Sequence, residues 1–477
     1  MDRISELPDE ILCYILTMLS IKDLLKTSIL SRRWCKLWTL WRDLHFDIFH
    51  VLGKSKQEVL HLPSNSPMEI QVHRDINMDE FVKRVDQFLN NFQGTKINSF
   101  FASFYSYDKH SNIIDQWISF AIARGVETIN LLLLPIMPCT YVTPYEPYKF
   151  VLDLFLETNA STLKHLRLEQ CLVCHPTKCD YIPFKNLRYL SLYLSKVDEM
   201  FIESLLSNCR WLEELHLFGC EFRSSMPRIV SSSLCYLKVG ACFDNIPKNI
   251  NLSLLDCLKL TSLEYHSLLY DGYSLDTLNI NTPLLKSFHC TVFYADDPNQ
   301  YAIFETLSKL EIMRLDINLK ALISLKEIQP FKHLKQLNII IFQHFVTVEP
   351  SEINLLGILI LLRASPLLHK LSVMITRPMI VENQKVVKDV DICSHDKVKI
   401  IELGGCVGNW YEIEFVMNVL QYAHKLERIV LSPYWREWDS SDLDWKSDPV
   451  WFQNGRQKIN ENLRNENVVG REKLVLI

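Results

Sequence analysis

Residues 169–179 read EQCLVCHPTKC. The Cys-x-x-Cys-His spacing inside them matches the attachment site of a c-type haem, and Cys174, His175 and Cys179 would supply three of the four ligands of a closed zinc site. Both readings lack a requirement: no second ligand pair lies nearby in sequence, and covalent haem needs an attachment pathway outside the cytosol. His165 and His216 form a second candidate pair for catalysis or metal binding. No third ligand, activated nucleophile or Gly-x-Ser-x-Gly elbow accompanies them. A third cluster, YWREWDSSDLDWKSDPVW at 434–451, sets Trp435, Trp438, Trp445 and Trp451 among Asp439, Asp442, Asp444 and Asp448. It has neither the turn glycine nor the closing glutamate of an EF-hand, so a capping loop with buried indoles is expected. Phosphate-cradling loops are absent from a chain with only 12 glycines, and neither G-x-G-x-x-G nor G-x-x-x-x-G-K-[ST] occurs. These gaps point away from an enzyme, and no cofactor is expected.

The elements that must position these residues follow from an L-x-x-L-x-L frame. Copies run Leu163, Leu166, Leu168; Leu187, Leu190, Leu192; Leu212, Leu215, Leu217; and Leu234, Leu237, Val239. Two more run Leu255, Leu258, Leu260 and Leu275, Leu278, Ile280. Weaker copies start at Ile97, Val126, Leu310, Leu334, Leu368, Val398 and Leu426. The last two positions of each frame lie two apart and so share one face of a short strand, the arrangement of a leucine-rich repeat. Three residues further on, Cys171, Cys220, Cys242 and Cys406 take the place where such repeats turn inward, and a thiol there behaves as a small buried hydrophobe. That role accounts for Cys171 without a metal.

Segments 81–92, 113–125, 199–209 and 354–365 have helical spacing. The expected class is therefore α/β, a solenoid with a parallel sheet on its concave face and helices outside. Side chains alternating with the buried ones would face the concavity, and His165, Arg167, Tyr189, Tyr193, His216, Phe218, Tyr236 and Lys238 are the candidates for gripping a target protein.

A length of 477 residues exceeds one ordinary core, while 48% hydrophobic and 22% charged residues indicate a folded chain. The net charge of -5 carries no footprint for nucleic acid. The N-terminus does not read as a signal peptide and no apolar run is long enough for a bilayer, so no membrane role is expected. The 14 cysteines are then expected to stay reduced, in cytoplasm or nucleus.

Residues 3–46 follow a different pattern. Pro8, Asp9 and Glu10 suit the first turn of a helix, followed by a stripe of Ile11, Leu12, Ile15, Leu16 and Leu19. A second start falls at Ser20 with Asp23, and a third helix from Ser31 carries Trp34, Leu37, Trp38 and Trp41. So short a segment cannot bury all this surface alone. The leading LPDEIL, Ile15 with Leu16, Asp23 with Leu24, Ser31-Arg32-Arg33-Trp34 and Trp41 resemble the F-box. The resemblance implies docking on a Skp1-like adaptor, through it a cullin and a RING subunit, with Leu7, Pro8, Ile11, Leu12, Ile15 and Leu16 contacting the adaptor and Leu24, Leu25 and Trp34 holding or extending the surface. Residues 398–435, with RQKINENL and EKLVLI, are similar to the C-terminal part of plant F-box/leucine-rich-repeat proteins of the FBD-related group, and FVKRVDQFL with IDQWISFAIARGVETINL to its early repeats. The organisation this implies is an F-box at 1–46, a linker or cap at 47–80, a solenoid at 81–397 and FBD-like repeats at 398–477. The implied function is the target-recognition subunit of a ubiquitin ligase; the alternative is a repeat scaffold or small-molecule sensor acting outside such a ligase.

Overall fold

The computed structural model describes residues 4, 6–17, 19, 23, 26–27, 30–37, 42–55, 58, 67–105, 110, 111–134, 147–155, 162–174, 184–223, 226–240, 243–244, 252–254, 257–266, 278–280, 282–292, 307, 309–323, 325, 330–342, 353–378, 380–381, 394–439, 442–446, 449–466 and 470–477. They fall into two compact units, Met1–Leu234 with Cys242–Lys248, and Cys235–Ala241 with Asn249–Ile477. Among them, no helix is long and apolar enough to cross a membrane.

In the first unit, helices Asp9–Thr17 and Arg32–Leu37 precede a strand, Asp43–Asp47, that pairs in parallel with Ser99–Ser103. Strands Ser99–Tyr105, Thr128–Leu134, His165–Glu169, Tyr189–Tyr193 and Glu214–Phe218 extend this parallel sheet in order. The register aligns Leu44, Phe100, Ile129, Leu166, Leu190 and Leu215 in one buried row. Phe46, Ala102, Leu131, Leu168, Leu192 and Leu217 form the next. Helices Pro67–Asn91, Ser111–Ala123 and Glu199–Asn208 form the connections where helical spacing was read, the first starting well before residue 81.

A turn after each main strand explains the cysteine position. Gln170, Leu194 and Gly219 take left-handed conformations with φ of 54°, 47° and 63°. Each is followed by a small buried residue, Cys171, Ser195 or Cys220, and then by a short strand in a second parallel ladder. The turns lock to one another: the Gln170 amide donates to the Tyr193 carbonyl at 2.9 Å, and the Leu194 amide to that of Phe218 at 2.8 Å. Ser195 Oγ accepts from the Cys171 amide at 3.2 Å, and the Cys220 thiol donates to the Leu192 carbonyl at 3.4 Å. A small side chain with one weak donor is what this corner holds.

The second unit continues the same construction with parallel strands Tyr236–Gly240, Ser262–His266, Ser287–Val292, Ile312–Asn318, Gln336–Phe342, Lys370–Thr376, Ile400–Gly404, Arg428–Ser432 and Leu474–Leu476. Most begin two residues after the expected frame starts. Two do not. Leu258, an inward position of the frame begun at Leu255, is 61% exposed in a turn, and the copy that forms buries Leu260 and, on strand Ser262–His266, Leu263 and Tyr265 instead. Leu278 belongs to a separate two-residue ladder with Leu252–Ser253, and the main-sheet copy is Leu285, Phe288 and Cys290. The Trp-rich segment contains an antiparallel hairpin, Trp435–Asp439 with Asp442–Lys446, rather than a loop.

Candidate functional site

The N-terminal helices divide their apolar residues between two environments. Leu12, Leu16, Trp34 and Leu37 are enclosed, at 0%, 2%, 6% and 1% exposure. Ile11 is 48% and Tyr14 63% exposed, with Ile4 and Leu30 also open; Pro8 is exposed, and Leu7 and Ile15 are half-buried. Helical geometry accounts for the division, since Leu12 and Leu16 share one face at a spacing of four while Ile11 and Tyr14 share another at a spacing of three. Leu12 and Leu16, expected at the contact, are thus enclosed within this chain like Trp34, because their shared helix face packs inward, and the open surface is built from the other residues. Leu24, Leu25 and the side chain of Cys35 lie outside what the structure describes, as do Trp38 and Trp41.

Two polar contacts hold this surface in place. The Arg33 guanidinium donates to Asp9 Oδ1 through Nε at 3.0 Å and Nη2 at 2.7 Å, and to the Leu7 carbonyl. Both donors converge on one carboxylate oxygen, and together with the Leu7 carbonyl they tie the start of the first helix to the third-helix motif Ser31-Arg32-Arg33-Trp34. Ser31 Oγ accepts from the Trp34 amide at 3.3 Å as an N-cap. Further along, Asp47 caps Ile48–Leu52 through the Phe49 and His50 amides, and a His50 ring nitrogen sits 2.6 Å from the Leu19 carbonyl.

On the sheet, strand alternation sends the expected target-facing residues to the polar face. In the first unit His165 is exposed, while Arg167, Tyr189, Tyr193, His216 and Phe218 are half-buried. Register joins them across strands: Tyr189 packs edge-on to His216 with centroids 4.9 Å apart, its hydroxyl 3.4 Å from Nδ1, and Tyr193 stacks on Phe218 at 5.2 Å. His165 and His216 are separated by the Tyr189 strand and form no common site. Tyr236 and Lys238 belong to the second unit, where the Lys238 ammonium lies 3.2 Å from Glu264.

The buried cysteines among the described residues fill structural positions. Burial pushes the Cys171, Cys290 and Cys406 thiols up, away from the reactive thiolate. Cys174 is half-buried; His175 and Cys179, like Cys242, lie outside the described residues. Two buried constellations were not foreseen. Glu412 receives the Val407, Gly408 and Asn409 amides at 3.0, 2.8 and 3.2 Å and the Cys406 thiol at 3.0 Å, binding a strand end to the start of helix Trp410–Tyr422. Asn409 with Glu412 three residues on is a capping box, a signal legible in sequence. The other is Glu264, His266 and His289, whose ligand atoms lie within 4.8 Å of one another.

Comparison with known proteins agrees with this geometry. The F-box domain model matches residues 4–45, and the model described as At1g61320/AtMIF1, LRR domain, matches residues 88–465, most of the chain. F-box/LRR-repeat protein At3g03360 of Arabidopsis thaliana is 27% identical over 393 residues, covering 78% of this chain and 70% of that protein. F-box/LRR-repeat protein At3g58940 of the same plant is 29% identical over 281 residues, covering 58% of this chain and 42% of its own length. F-box/FBD/LRR-repeat protein At1g13570, also from Arabidopsis thaliana, is 26% identical over 476 residues, 94% of each chain. The order of an F-box followed by leucine-rich repeats is thus a shared one, and the chain belongs to the plant F-box/leucine-rich-repeat family, in its FBD-related group.

Proposed function

We propose that the chain is the target-recognition subunit of a ubiquitin ligase of the Skp1–cullin–F-box type. Its N-terminal helices recruit a Skp1-like adaptor, and with it the cullin and RING subunits; its sheet face holds a target protein. The observation that carries the reading is the set of open apolar residues, Ile4, Ile11, Tyr14 and Leu30, within the span that matches the F-box. On a segment this small, such side chains are better covered by another subunit than by water. The chain itself performs no bond chemistry in this scheme; it raises the local concentration of target lysines near a ubiquitin-loaded enzyme.

Co-purification with a Skp1-like adaptor tests the recruitment step. Replacing Leu7 and Pro8 with alanine is expected to abolish capture of the adaptor while leaving the repeats folded. A full-length, folded chain that never retains the adaptor would remove the ligase reading and favour a scaffold.

A further inference from the structure

We propose that Glu264, His266 and His289 form a binding site for a divalent transition metal of the zinc class on the polar face of the second unit's sheet. Glu264 and His266 are two apart on one strand and so share its face, and register sets His289 directly opposite Glu264 on the next parallel strand. His266 Nε2 and His289 Nδ1 both converge on Glu264 Oε2, at 3.6 and 3.7 Å. Four-coordinate zinc with bonds of about 2.0–2.1 Å places its ligands roughly 3.4 Å apart; the two contacts to Glu264 are within a few tenths of an ångström of that spacing, and since the three ligand atoms lie within 4.8 Å of one another, the two imidazoles close on each other as the ion enters.

Both imidazoles are held from behind. His289 Nε2 lies 2.8 Å from Asp316 Oδ2, the carboxylate being 2% exposed and also held by Arg314 Nε at 3.2 Å. With that nitrogen donating its proton, Nδ1 presents a lone pair to the site. His266 Nδ1 lies 2.8 Å from Thr291 Oγ1, and in the tautomer that donates to this hydroxyl, Nε2 presents its lone pair as well. A ligand imidazole backed by a carboxylate or hydroxyl is the usual support of a metal centre.

Two histidines and one carboxylate leave a coordination position open, and Glu264, 24% exposed, marks the solvent side from which water would fill it. The Lys238 ammonium, 3.2 Å from Glu264 Oε2, competes with the ion for the same oxygen. It supplies a test that does not depend on deleting ligands.

The untagged full-length chain, stripped with a chelator, is titrated with Co2+ and then Zn2+. One Co2+ per chain is expected, with visible absorption of a four-coordinate ion, no thiolate-to-metal charge transfer, and displacement by Zn2+. His266→Gln and His289→Gln, checked for folding by circular dichroism and melting, should abolish the absorption. Asp316→Asn should weaken binding about 10–100-fold, and Lys238→Met should tighten it at least about tenfold by removing the competing charge. Absence of the Co2+ absorption in both the wild type and Lys238→Met overturns the proposal. So does absorption that survives both histidine substitutions, an unchanged affinity in Lys238→Met, or a thiolate charge-transfer band placing the ion on cysteines.

Discussion

The division of apolar residues within the F-box sets a quantitative expectation for the double substitution Ile11→Ala with Tyr14→Ala. Full burial of a large apolar side chain is worth about 1.5–3 kcal/mol. Ile11 already hides half of its surface in the free chain and Tyr14 a third, at 48% and 63% exposure. Covering the remainder on docking is therefore worth roughly 1 kcal/mol for each, and losing both weakens adaptor binding by about 2 kcal/mol, or roughly thirtyfold in Kd. The same change lowers the melting temperature less than the loss of an enclosed side chain does, because both side chains keep about half or more of their surface open in the free chain. Leu16→Ala is the counterpart. At 2% exposure, its loss should cost about 2–5 kcal/mol of local stability and lower adaptor binding only through the fraction folded. Calorimetric titration with a purified Skp1-like adaptor, alongside thermal melts, separates the two effects. Wild-type affinity in the double variant, together with lost affinity in a Leu16→Ala protein that melts normally, would show that the docking surface has been assigned to the wrong helix face.

Two glycines with the same φ should respond unequally to substitution. Gly53 and Gly405 both sit at φ 66°, but a Cβ at Gly53 meets nothing within 4 Å while one at Gly405 runs into the Ile375 carbonyl oxygen. Gly53→Ala should cost about 1 kcal/mol, the strain of the left-handed region alone, and Gly405→Ala about 2 kcal/mol or more; equal urea midpoints would refute the steric account. Glu402 should make stability sensitive to acid. Burial pushes its carboxyl up, but the Ser372 hydroxyl at 2.6 Å and the Lys370 ammonium at 2.9 Å bring it below its ordinary value. A folded-state pKa below the unfolded one gives stability that is present above the unfolded value and lost as pH falls through the folded one. Glu402→Gln should accordingly flatten the fall in melting temperature below about pH 5, and parallel profiles for the two proteins would contradict it.

Much of the architecture was legible because strand period and helix period leave different marks. Leu166 with Leu168, or Leu215 with Leu217, repeat at two, and residues 199–209 repeat at three and four, so strands and helices separate without ambiguity. The F-box helices were legible for the same reason, but not which of their residues stay open. Ile11 and Leu12 are neighbours of the same type, and only helix packing decides that one is exposed and the other enclosed. The frames begun at Leu255 and Leu275 failed for a different reason. Leucines at Leu258 and Leu278 fit the repeat by composition, whereas the true copies bury Tyr265, Phe288 and Cys290, which fill the same inward positions with other shapes.

That misphasing also hid the histidine cluster, and the reason is general to parallel sheets of this kind. Moving a strand frame by an odd number of residues exchanges its faces, so a frame started five residues early turns Glu264 and His266 from outward neighbours into residues past the strand's end. In correct register, residues far apart in the chain become adjacent: His266 meets Thr291 and His289 meets Asp316, across separations of 25 and 27 residues. Motif scanning, which looks for ligands three or four positions apart, has no access to such pairs. The polar face is consequently written across strands rather than along them. Its chemistry differs between the units, aromatic pairs such as Tyr193 with Phe218 in the first, and a buried ionic group centred on Glu264 in the second. Strand alternation that exists to bury leucines thus fixes, as a by-product, every outward ladder, and substitutions there can change the chemistry of the face without touching the rows that hold the fold together.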